Sequence, residues 1–156
     1  MADFEQAVSL LKRFSHLADF EGPIGEAEIV QAESMLGLRF PATYRTFLLQ
    51  LGCGRFATQE FYGIVRNGLE TPMVPNCIWL TLHERHHTGL PSSMVIVADN
   101  QTGGWYVIDI IEENAKDESK IFSWWTREGA KKLASEDFGA FLLLRVLSAI
   151  QQESLL

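Results

Sequence analysis

The stretch Glu33-Ser34-Met35-Leu36-Gly37-Leu38-Arg39-Phe40-Pro41-Ala42-Thr43-Tyr44-Arg45-Thr46-Phe47-Leu48 reads as the end of one helix joined to the start of the next. Gly37 supplies a left-handed stop, which a residue without Cβ adopts at no steric cost. Pro41 suits a first helical turn, where its missing N–H is not needed. Working backward, Ile29, Ala32 and Leu36 recur at helical spacing and predict a helix from about Glu26 to Leu36. Working forward, Tyr44, Phe47, Leu48 and Leu51 make the apolar face of a third helix that ends at Gly52.

The rest of the chain arranges itself around this pair. Phe4, Ala7, Val8, Leu11 and Phe14 predict a first helix from about Asp3 to about Ala18, broken by Glu21-Gly22-Pro23. Phe56 to Ile64 reads as a strand, and Asn67 to Pro75 as a loop. A helix over about Asn76 to Thr88 is closed by Gly89 and Pro91. Met94–Ala98 is a continuous apolar run, as is Trp105–Ile111 with Asp109 inside it; both fit central strands, joined as a hairpin by the polar turn Asp99 to Gly104. Ile121 to Trp125 adds a strand after the acidic loop from Glu112 to Lys120. A last helix starts near Ser135 as N-cap. Phe138, Phe141, Leu142, Leu144, Val146, Leu147 and Ile150 wrap most of its circumference, so it should be the most buried helix. Helices, then strands with one inserted helix, then a helix give an α+β class. The expectation is a single domain over 1–156, with a mostly antiparallel sheet of about four to six strands packed with N- and C-terminal helices.

Composition narrows the function classes. A chain of 156 residues, 47% hydrophobic and 21% charged, buries a real core and is not disordered. Its 20 acidic and 13 basic side chains give a net charge of -7, which disfavours nucleic acid and anionic lipid; it reads first as a solubility device and second as favouring a basic partner. No basic region followed by an apolar stretch opens the chain, and no apolar run nears the roughly 18 residues of a membrane span. Cys53 and Cys77 make no disulfide framework and read as reduced and buried. The expected compartment is the cytoplasm.

The stretch quoted first resembles the E-x-x-L-G-x-x-L-P-x-x-Y-x-x-F-L signature of the SUKH superfamily, with Phe40 where leucine is usual. Gly52-Cys53-Gly54, Thr81, Arg85, Leu90-Pro91, Met94 to Val97, Gly104 to Asp109, a tryptophan at 124 or 125 and Phe138 with Phe141-Leu142 fit the same template. The resemblance covers about 26–150. It departs at Trp105, where the family often has an acidic residue, and this weakens any carboxylate role at that turn. The family includes eukaryotic cell-wall assembly regulators, and its bacterial members of this size are implied to be immunity proteins of polymorphic toxin systems. Such a protein binds a cognate toxin, often a nuclease, and blocks it. The resemblance implies no cofactor and no catalysis.

His83-Glu84-Arg85-His86-His87 satisfies H-E-x-x-H, which in zinc hydrolases sets two imidazoles on one metal and a carboxylate beside its water. Gly89 and Pro91 end that helix at once and no third ligand follows, so a solvated helix end is preferred. Cys53 between two glycines and Cys77 before an apolar stretch read as packing, not as nucleophiles. Glu33 is expected to be tied down structurally, whereas Asp109 is either tied down or directed to a partner. Strand alternation sends Trp124 and Trp125 to opposite faces, one toward the core and one partly accessible. The acidic stretch from Glu112 to Glu118 is a solvated loop or a steering element for a basic cleft. The expected partner surface comprises Asp99, Trp105, Tyr106, Asp109, Glu112, Glu113, Asp117, Glu118, Trp124 and Trp125. The preferred reading is an immunity protein, not an enzyme, that neutralises a basic nuclease toxin by stoichiometric binding. A regulatory adaptor and a small zinc-dependent hydrolase are the alternatives.

Overall fold

The computed structural model describes residues 1–113 and 117–153. It contains five helices and two antiparallel sheets, the α+β arrangement that the order of apolar patterns implies. Helices α1 (Ala2–Arg13), α2 (Glu26–Leu36) and α3 (Ala42–Gln50) come first, with β1 (Ala18–Phe20) between α1 and α2. Strands β2 (Gly54–Phe56) and β3 (Gln59–Phe61) follow, then α4 (Cys77–Thr88). The chain closes with β4 (Met94–Asp99), β5 (Trp105–Glu113), β6 (Ser119–Trp125), β7 (Ala130–Ser135) and α5 (Phe138–Gln152). The small sheet has the order β1-β2-β3 and the large one β4-β5-β6-β7.

α2 ends where its sequence says it must. Gly37 sits at φ 71°, and its N–H donates to the Glu33 and Ser34 carbonyls. The Glu33 carboxylate accepts from the Phe40 N–H at 2.8 Å and lies 3.4 Å from the Arg45 guanidinium. It is therefore the brace that holds α2 and α3 at their angle. Pro41 is the N-cap of α3, one residue before its first turn. α4 is capped by Asn76, whose side-chain oxygen accepts from the Ile78 and Trp79 N–H groups.

The core is centred on Tyr44, which is fully buried. Its ring meets Phe40, Phe47 and Phe138 at centroid distances of 5.3, 5.8 and 4.9 Å. Its hydroxyl donates to the Tyr62 carbonyl at 2.9 Å, so the polar end is satisfied as burial requires. α1 packs along α5, and α4 packs on β4. All of Met94 to Ala98 is buried, as a strand covered on both faces should be. Cys53 and Cys77 are free and buried.

Several boundaries differ from the expectation. α1 stops at Arg13, and a 3-10 turn over Ser15–Leu17 leads into β1. The small sheet captures that segment: the Ala57 N–H donates to Leu17 O at 2.8 Å and the Glu21 N–H to Cys53 O at 2.7 Å. The strand expected over Phe56 to Ile64 is a tight hairpin instead, with Phe56 opposite Gln59 and Ala57 at φ 54° in the turn. Ser135 does not cap the last helix. It ends β7, and Asp137 is the cap, accepting from the Ala140 N–H at 2.8 Å. On α5, Leu144 is 58% exposed, so the apolar face is narrower than the composition suggests.

Candidate functional site

The large sheet presents one row of side chains across all four strands. Asp99 is opposite Trp105, Trp105 is opposite Trp124, and Trp124 is opposite Lys131. Directly paired residues point to one face of a sheet, so the two indoles stand side by side between a carboxylate and an ammonium. Both tryptophans are half-buried and rest against the core. The Trp124 indole N–H donates to Thr126 Oγ1 at 3.1 Å, which leaves its ring face as its free chemistry.

At the Asp99 end this row opens into a groove. Glu84 and Thr88 from the last turn of α4 form one wall, and Gln101 and Arg127 from the two adjoining turns complete it around Asp99 and Trp105. The turn is rigid. Asn100 Oδ1 accepts from the Thr102 N–H and the Gly104 N–H at 3.0 and 2.9 Å, and Asp99 Oδ1 accepts from the Gln101 N–H at 2.7 Å. The Trp125 indole N–H donates to the Thr102 carbonyl at 3.2 Å and ties the turn to β6. Apolar ring faces flanked by fixed charges of both signs suit recognition of a protein surface.

The expected site residues do not all gather here. Asp99, Trp105 and Trp124 do. Tyr106 points to the opposite face, where its ring packs 5.0 Å from Phe141 and the Arg145 guanidinium lies 4.9 Å over it. Trp125 follows the alternation to that same opposite face. Asp109 is buried and tied down. It is 4% exposed, accepts from the Ile111 N–H, and binds Lys131 Nζ at 3.2 Å. Lys131 also sits 4.4 Å over the Phe122 ring, so the ion pair roofs a core aromatic. Glu118 is not a solvated steering charge. It is 7% exposed, and its carboxylate accepts from the Thr43 N–H at 3.2 Å and from the Thr43 hydroxyl. Asp117 is exposed, and its carbonyl accepts from the Ala42 N–H at 3.1 Å. The side chains of Glu112 and Glu113, and the residues 114–116, lie outside the described residues.

Glu84, Thr88, Gln101 and Arg127 are groove residues that sequence reasoning missed. Glu84 and Thr88 share a helix face at i, i+4 spacing, which was legible. That this face meets the hairpin turn depends on α4 packing over β4, which no local pattern carries.

The H-E-x-x-H segment lies on α4 with Trp79, His83 and His87 stacked along one face. The two imidazoles are nearly parallel, at 19° and 4.0 Å. Nitrogen lone pairs lie in the ring plane, so stacked rings do not aim both at one point. His87 Nδ1 is also 2.9 Å from the His83 carbonyl. Among the described residues no three metal-ligating side chains gather. Among them, too, no helix is long and apolar enough to cross a membrane.

A family model described as SUKH_6: SMI1-KNR4 cell-wall matches residues 26–142, from the first residue of α2 into α5. No curated protein matches the chain.

Proposed function

The chain belongs to the SUKH_6, SMI1-KNR4 cell-wall family, and from that membership we propose that it works by binding another protein, as an immunity protein that neutralises a toxin domain. The observation that carries this reading is the in-register pair Trp105 and Trp124 beside the groove of Glu84, Asp99 and Arg127. Paired indoles bury large area at low entropic cost, and fixed polar neighbours give register. The net charge of -7 supports a basic partner, such as a nuclease, because opposite charge accelerates encounter. The action is stoichiometric and without catalysis, and its place is the cytoplasm, where such a toxin would act. A regulatory adaptor is the second reading, favoured by the cell-wall description of the matching family.

The test is co-expression with the product of the reading frame next to this gene. The expected outcome is that the neighbour arrests growth alone, is harmless with this chain, and elutes with it as a one-to-one complex. Trp105→Ala together with Trp124→Ala should lose protection while the circular dichroism spectrum stays native. A complex that forms equally well with both indoles removed would overturn the placement of the site, and absence of any complex would overturn the immunity reading.

A further inference from the structure

The two outer strands of the large sheet are treated differently. Beside β4 the chain that leaves β3 approaches closely, and the Tyr62 N–H donates to the Val97 carbonyl at 2.8 Å. β7, at the other end, pairs with β6 alone. Every residue from Ala130 to Ala134 is exposed. Among the described residues, the backbone of Lys132, Leu133 and Ala134 makes no hydrogen bond outside the sheet. A strand paired on one side only leaves a row of N–H and C=O groups facing outward, ready to pair with another chain.

Lysines usually close such an edge, because their charge extends past it and repels a further strand. Lys131 does not serve in this way. Its ammonium folds back over the sheet, 3.2 Å from Asp109 Oδ2 and 4.4 Å above the Phe122 ring. Lys132 carries the charge that remains at the edge, and Ala130 and Ala134 set nothing bulky around it. Ala130–Leu133 pairs residue for residue with Trp125–Phe122, and the register shifts only beyond Leu133. Register also fixes where each side chain points. Lys131, opposite Trp124, and Leu133, opposite Phe122, stand on the face of the tryptophan row. Lys132, between them, points to the other face. Leu133 is 47% exposed, so an apolar side chain stands at the rim of that row.

We propose that β7 is the docking edge for an extended segment of a partner protein, which adds a fifth strand to the large sheet with a carboxylate opposite Lys132 and an apolar side chain opposite Leu133. The proposal rests on the protein-binding reading above and continues its surface, since the row Asp99, Trp105, Trp124 and Lys131 runs straight to this edge. Backbone bonds along the edge supply affinity, and the alternating side chains supply selection. Opposed residues of an antiparallel pair bring their Cβ atoms to about 5 Å, within reach for a carboxylate and the Lys132 ammonium. Lys132 makes no ion pair within 4.0 Å among the described residues. The charge of the whole molecule steers the encounter, whereas this local pair sets the register. A second copy of the chain would bring the same lysine and the same net charge of -7, so the added strand comes from a different protein.

The experiment is backbone amide hydrogen exchange on the isotopically labelled full chain, alone and in one-to-one complex with the product of the adjacent reading frame. In the free chain the outward amides of β7 should exchange fast, while those bonded to β6 are protected. In the complex the outward amides should slow by about 100-fold or more. Lys132→Glu should weaken the complex about fivefold or more, because a repulsion replaces an attraction, and Lys132→Arg should keep it. A complex whose β7 amides exchange as in the free chain, or one indifferent to Lys132→Glu, overturns the proposal and leaves the protein-binding reading standing. So does a free chain that already sediments as a dimer with β7 protected, because the edge then belongs to a second copy. Absence of any complex overturns that reading, and the proposal with it.

Discussion

Glu118 stands at the end of a run of charge that reads as solvated, yet it is one of the few buried polar side chains. The reason is local. Thr43 opens α3, where the first N–H groups have no partner inside the helix, and a carboxylate from the far side of the sequence fills the vacancy. Nothing within the acidic stretch signals this, because the partner is 75 residues away. Glu33, in contrast, was legible as a structural residue: it sits on a helix near an apolar face, and its carboxylate takes the Phe40 N–H across the turn. Glu118→Ala should cost about 1–3 kcal/mol, the usual penalty for leaving a buried donor unsatisfied. Urea denaturation monitored at two probes measures it. A loss below about 0.5 kcal/mol would show that Thr43 finds water instead.

At the scale of elements, legibility follows pattern length and punctuation. α2 and α4 were readable almost to the residue, because a glycine in the left-handed region ends each one, at Gly37 and Gly89. β4 announced itself as an unbroken apolar run, and β5 as a second one interrupted only by Asp109 as far as Ile111. β7 did not: every residue from Ala130 to Ala134 is exposed, so an edge strand held by pairing with β6 leaves no alternation to find. β1, β2 and β3 have three residues each, shorter than any periodicity can mark. The apolar faces of α3 and α5 give a matched pair of expectations. Leu48 is fully buried, so Leu48→Ala should cost about 2–5 kcal/mol. Leu144 is 58% exposed, so Leu144→Ala should stay within about 0.5 kcal/mol. Chemical denaturation of the two variants side by side checks both, and similar losses would mean that one helix face is wrongly oriented.

Over the whole molecule, charge and burial act on different groups. The net charge of -7 was legible as a bias toward basic partners, but its distribution was not. Asp109 and Glu118 went inward, and Asp19, Glu21 and Glu60 gathered around a cavity that exists only once three short strands meet. The buried side of the ledger makes a prediction at alkaline pH. Cys77 is fully buried, and Tyr44 Oη lies 3.3 Å from its sulfur while donating to the Tyr62 carbonyl. Burial pushes the Cys77 thiol up to about 12 from an ordinary 9.0, although the contact with Tyr44 pulls the other way. Burial likewise raises Tyr44 well above its ordinary 10.0. Each acid thus has a folded pKa above its unfolded one. Below the unfolded value both states hold the proton and the group adds no pH dependence. Above it the unfolded chain releases the proton first, so stability falls as pH rises toward the folded value. The melting temperature should therefore be insensitive to these groups up to about pH 9 and drop steadily from there toward about pH 12. Cys77→Ala removes one of the titrating groups, so its curve should fall less steeply over that window whatever its stability at neutral pH. Every other ionisable group is common to the two proteins and cancels in the comparison. Parallel melting curves for the two proteins across the alkaline range would mean that the Cys77 thiol ionises as readily in the folded state as in the unfolded one.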